Sequence, residues 1–160
     1  MIKKLLEELS QNKNFIKLKS EHPNLFFCAA FIVTDFEAKT SKTQLDFFLP
    51  SERKIVAFEH PFIDGKKYDD EIIEMKEQPT EIKIDKSDLE EFVRKSVEKN
   101  GSKIIPAKII AILKNDEWNI TAMNNALGIA RIRINAQTGE EISFNKGSLM
   151  DFMGIEKNKQ

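Results

Sequence analysis

Residues 118–144 read WNITAMNNALGIARIRINAQTGEEISF. Alternating apolar and polar runs are separated here by Asn124-Asn125 and by Gln137-Thr138-Gly139. A period of two marks strands buried on one face, and Asn, Thr and Gly suit the backbone of tight turns. The stretch therefore reads as three consecutive antiparallel strands. Within residues 129–135, Ile132 and Ile134 fall on one face and Arg131, Arg133 and Asn135 on the other. If Trp118 and Ile120 face the core, Asn119 and Thr121 join the arginine face.

Working outward, Ser87-Asp88-Leu89-Glu90 reads as a capping box opening a helix over 88–99. Leu89, Phe92, Val93 and Val97 make its apolar stripe, and Asn100-Gly101 stops it. This stripe is expected to seal the greasy side of the strands. Residues 107–113 form a buried strand just before them. Residues 80–85 alternate, with Ile82 and Ile84 inward, and read as a further strand. Near the start, Ile2, Leu5, Leu6 and Leu9 recur at helical spacing. Phe15, Ile16 and Leu18 form another helical turn or a short extended piece, and His22-Pro23-Asn24 breaks the chain. Residues 25–36 are apolar on both faces at their centre, so they read as a strand inside a sheet covered on both sides. Strands over 44–49 and 54–58 follow, joined by Pro50-Ser51-Glu52-Arg53. In the tail, Leu149, Phe152, Met153 and Ile155 suggest one or two docked helical turns.

The fold expectation is α+β: two tandem helix-plus-antiparallel-meander units, residues 1–60 and 80–146, with a connector over 61–79 and a tail over 147–160. Residues 48–58 lie over 134–144 at an offset of 86 with a matching strand–turn–strand pattern. That overlap fits a duplication, and it fits equally the recurrence of a common pattern.

The opening Ile82-Lys83-Ile84-Asp85 with Ser87, the segment Trp118-Asn119-Ile120-Thr121, and Ile134-Asn135-Ala136-Gln137-Thr138-Gly139-Glu140 carry a likeness to a known family. Residues 80–144 resemble the PepSY modules, small domains in which an antiparallel sheet wraps partly around a helix as in cystatins. The resemblance implies a non-enzymatic role, often linked to modulation of peptidases or to binding at the cell envelope. It brings no catalytic residues. The first half departs from the pattern, with Pro50-Ser51-Glu52-Arg53 where Ala-x-Thr-Gly would stand.

Of the 160 residues, 41% are hydrophobic and twelve are Phe, enough apolar mass for a core, which excludes a disordered chain. Lysines and arginines number 12 against 14 acids in residues 1–80, and 13 against 12 beyond. Neither half has the basic excess that neutralises a run of phosphates, so nucleic acid is disfavoured as a partner, including through Arg131, Arg133, Lys108 and Lys114. A single cysteine forms no intrachain disulfide. The amphipathic start lacks the continuous apolar centre of a secretory signal. The longest apolar run, residues 25–33, is too short for a membrane helix. These features point to a cytoplasmic protein with no membrane partner.

Candidate chemistry is sparse. Cys28, in LFFCAAF, reads as a buried apolar side chain rather than a nucleophile. His22 and His60, with Asp35 or Asp64, have no local ligand spacing, so no metal is expected. Carboxylate pairs such as Glu7/Glu8, Asp69/Asp70, Glu90/Glu91 and Glu140/Glu141 read as solvated charge. No glycine-rich phosphate loop and no cofactor motif is present. The binding candidates are Arg131, Arg133, Asn119 and Thr121, a polar cationic sheet surface able to grip carboxylates or phosphates. The plainer reading of that surface is a solvated face with cross-strand pairs to acids such as Glu141. The functional expectation is a non-enzymatic binding module for a protein or peptide partner, acting through a sheet face or edge, with homodimerisation edge to edge as one mode. The alternative is a small enzyme or small-ligand binder using the concave face of a curved sheet.

Overall fold

The computed structural model describes residues 1–148. The expected tail helix with Leu149, Phe152, Met153 and Ile155 lies outside the described residues. Two helices, α1 (Ile2–Leu9) and α2 (Lys13–Glu21), precede strands β1 (Phe26–Asp35), β2 (Thr40–Leu49), β3 (Lys54–Glu59) and β4 (Gly65–Lys67). A third helix, α3 (Leu89–Lys99), precedes β5 (Lys108–Lys114), β6 (Glu117–Met123), β7 (Gly128–Asn135) and β8 (Glu141–Ser148).

All eight strands belong to one sheet in the order β4-β3-β2-β1-β5-β6-β7-β8, and every neighbouring pair is antiparallel. This overturns the expectation of two tandem helix-plus-meander units. β1 and β5 pair from Ala29↔Lys114 to Asp35↔Lys108. One buried cluster runs through both halves, joining Ile2, Leu9, Ile32 and Phe58 to Val93, Leu113, Trp118 and Ile132. The physical cause is the edge. A separate first unit would leave apolar β1 with a row of unpaired amides and carbonyls, and β5 likewise. Pairing the two satisfies both backbones and moves both strands to the middle. The overlap at offset 86 lays the β2–β3 hairpin over the β7–β8 hairpin; among the described residues β8 ends the sheet, whereas β3 has β4 beyond it.

The helices pack on one face. α1 buries Ile2, Leu5 and Leu9, and α3 buries Leu89, Val93 and Val97. From α2, Phe15 packs its ring 5.0 Å from Phe47 and 5.5 Å from Phe58. Trp118, Ile120, Ile132 and Ile134 face this layer and are essentially fully buried. Among the described residues the opposite face has only a small cluster, Cys28, Ala29, Phe48 and Ile55, covered by Ile72 and Met75 from the segment after β4. Coverage of β1 on both sides is thus confined to one end. Further along that face Phe31 is exposed, and Val33, Ile110 and Ile112 are half-buried.

Residues 80–85 are not a strand. They form a strap hung on the β7–β8 turn: the amides of Lys83 and Ile84 both donate to the Ala136 carbonyl, at 2.9 and 3.1 Å. The Trp118 indole N–H donates to the Ile84 carbonyl at 2.7 Å. One turn carbonyl serving two amides cannot extend into a ladder. The cap also moves. Asp85, not Ser87, opens the helical region, accepting from the Lys86 amide while Asp88 accepts from the Asp85 amide at 2.9 Å. A 3-10 turn, Lys86–Asp88, leads from there into α3. The 61–79 stretch read as a connector supplies β4 and two buried side chains, Phe62 and Gln78.

Candidate functional site

The β7–β8 turn aims the candidate face. Asn135 Oδ1 accepts from the amides of Gln137 and Thr138, at 2.9 and 3.0 Å, and Gly139 takes φ +79°. With Ile132 and Ile134 locked inward, Arg131 and Arg133 point to the side that none of the described helices covers. The register then builds two cross-strand rows. One runs Gln44, Phe31, Ile112, Asn119, Arg133, Ser143, and the other Lys42, Val33, Ile110, Thr121, Arg131, Asn145. Each row passes from an apolar middle to a polar end.

At the polar end lies a depression of about 330 Å³ lined by Asn119, Thr121, Arg131, Arg133, Ser143 and Asn145, with Ile120 and Ile132 also at its wall. All four candidate binding residues therefore meet at one place. Ser143 and Asn145 join them, and sequence reasoning missed both. Their only signal was alternation in the last strand, read no further than residue 144.

Arg133 is already engaged within the sheet. Its Nη2 donates to Glu117 Oε2 at 3.0 Å and its Nε to Glu117 Oε1, a two-pronged cross-strand pair. That hydrogen bond raises the arginine's pKa further, so the cation is permanent. Glu141, the expected partner of the arginines, turns instead to the end of α3. Burial by itself would raise its pKa, but the Ser96 hydroxyl, the Asn100 amide and Lys99 hold it below the ordinary value. A bulge between Arg133 and Ile134 re-aims it there. Asn119, Thr121, Ser143 and Asn145 make no side-chain hydrogen bond to other described residues, so their donors and acceptors face the depression and solvent. Elsewhere on the face, burial raises the pKa of Asp46, which accepts from Gln44 Nε2 at 2.8 Å.

The two sheet edges are unlike. β4 is three residues long and carries Lys66 and Lys67, a short edge blunted by charge. β8 is eight residues long, borders the depression, and pairs on one side only among the described residues. Of the remaining candidates, Cys28 is buried and burial pushes its thiol up to about 12. His60 Nε2 lies 3.4 Å from Glu8, and His22 caps α2. Among the described residues no group of three or more His, Cys, Asp or Glu is placed to hold a metal ion, and no helix is long and apolar enough to cross a membrane.

No family model matches this chain, and no curated protein matches it. Among solved structures, it is similar to the crystal structure of a "putative lipoprotein" from Clostridium difficile 630, with TM-score 0.52 and 7% identity over 82% of this chain and 89% of that one. At that identity the likeness concerns the fold alone.

Proposed function

We propose that the protein is a non-catalytic binding module that adds an extended peptide segment of a partner along β8. The observation that carries this reading is the long β8 edge beside the polar depression. Along this eight-residue strand alternate residues point their backbone donors and acceptors away from β7, a template for one more strand. A guest strand paired there places alternate side chains beside Ser143 and Asn145, and long guest side chains reach across them toward the depression that Asn119 and Thr121 line. Main-chain pairing gives affinity and the depression selects side chains. In this reading residues 80–144, where α3 covers the inner side of β5–β8, are the PepSY-like part, and a peptidase or its peptide is the kind of partner that resemblance suggests.

The test is selection from a displayed library of random extended peptides, followed by amide chemical-shift mapping of a selected binder. The expected outcome is perturbation of residues 141–148 together with the side-chain amides of Asn119 and Asn145. Shifts confined to α1, α2 or α3, or unchanged binding when Ser143 and Asn145 are both replaced by Lys, would refute it.

A further inference from the structure

A second site lies on the opposite, helical side of the sheet, between α1 and β2. It is a cleft of about 270 Å³ lined by Met1, Lys4, Leu5 and Glu8 of the α1 region, Ser41 and Thr43 of β2, His60 and Lys86. Lys86 and Thr43 are 43 residues apart in the chain, and no motif links them. The Lys86 ammonium is half-buried, and its hydrogen-bond partner is a neutral group, the Thr43 hydroxyl at 2.7 Å. No carboxylate among the described residues forms an ion pair with it. Asp85, the next residue back, is engaged elsewhere: its Oδ1 accepts from the amides of Ile2 and Lys86, at 3.0 and 2.6 Å, and its Oδ2 from the Met1 terminal ammonium at 2.9 Å. Burial accordingly lowers the Lys86 pKa, with Asp85 only partly opposing.

A partly desolvated cation held by a hydroxyl alone is costly unless something negative meets it. An ammonium has three N–H donors, and Thr43 occupies one. Lys4, on the same wall, also forms no ion pair with a described carboxylate, whereas Glu8, the acid of the cleft, lies beside His60 at 3.4 Å. The cleft therefore presents two cations, half-buried Lys86 and exposed Lys4, beside apolar surface from Leu5 and Met1. Thr43 is only 3% exposed, so its hydroxyl positions the ammonium and cannot itself reach a substrate.

We infer that this cleft binds a small organic anion, its oxyanion head on Lys86 and Lys4 and its short apolar body against Leu5. The volume lies just below the usual range of about 300–1,000 Å³ for ligand pockets, which suits a short-chain acid.

The experiment is calorimetric titration of the full chain with hexanoate, acetate and inorganic phosphate, repeated on Lys86→Met, Lys86→Arg and Lys17→Met. Hexanoate should bind more tightly than acetate or phosphate. Lys86→Met should weaken it by about tenfold or more, the loss expected for charge-assisted hydrogen bonds. Lys86→Arg should recover part of the affinity, and Lys17→Met should leave it unchanged. Amide mapping on the wild type guards against a misfolded variant: hexanoate should shift Thr43, Lys86 and Leu5. Absence of binding by all three anions, equal binding by Lys86→Met, or shifts elsewhere would overturn the assignment.

Discussion

Gln78 is 1% exposed, and replacing it tests whether the segment before α3 is held by hydrogen bonds as the structure shows. Its Oε1 accepts from the Asp116 amide at 2.8 Å, and its Nε2 donates to Pro79 O at 2.8 Å and to Asp116 Oδ1 at 3.1 Å. Gln78→Met keeps the length of the side chain and removes all three bonds. The Asp116 amide loses its partner in the tight β5–β6 turn, where Asn115 and Asp116 both have positive φ, at a cost of about 1–2 kcal/mol. The Asp116 carboxylate keeps Gln137 Nε2 at 3.0 Å, so its loss is about 1 kcal/mol. Pro79 is exposed and regains water. Apolar burial of the methionine returns somewhat less than about 1 kcal/mol. The net loss is about 2 kcal/mol, or roughly 4–8 °C in Tm for a chain of this size. Urea unfolding followed by the fluorescence of Trp118, the only tryptophan and fully buried, reads it directly. Gln11→Met, at an exposed site whose amide makes only a 3.3 Å contact to the neighbouring Ser10 Oγ, is the control and should cost below about 0.5 kcal/mol. Equal losses for the two variants, or a negligible loss for Gln78→Met, would show that the buried amide does not hold the segment before the strap.

Two further perturbations follow from individual residues. Burial, and secondarily the nearby Asp46, pushes the Cys28 thiol up to about 12, so the folded protein should resist a thiol reagent at pH 8 and react fully only in denaturant; rapid stoichiometric labelling of native protein would contradict the burial. Gly139→Ala should cost more than Gly101→Ala. Both have positive φ, worth about 1 kcal/mol each, but a Cβ on Gly139 lies 3.2 Å from Ile84 Cδ1 whereas one on Gly101 meets nothing within 4 Å; equal melting temperatures for the two variants would argue against the close approach of the strap.

Side-chain periodicity alone determined which way the residues of β6 and β7 face. Ile132 and Ile134 had to be inward and Arg131 and Arg133 outward, because a strand alternates whatever its neighbours are. The stripe of Leu89, Val93 and Val97 and the left-handed Gly139 were equally local, set by helical spacing and by the steric freedom of glycine. Tertiary structure decided what lies beside each strand. The β1–β5 pairing that fuses the sheet is made by backbone groups, which look alike in every residue, so nothing in the side chains announced it. The same holds for the contacts that pairing and docking bring about. Arg133 meets Glu117 rather than Glu141 because a bulge turns Glu141 toward α3, and Asp85 displaces Ser87 as the cap because the strap, anchored on Ala136 and Trp118, fixes where the helical turn begins. Lys86 reaches Thr43 only once α1 and the strap have closed over the sheet, a meeting governed by distance in space that sequence separation does not encode.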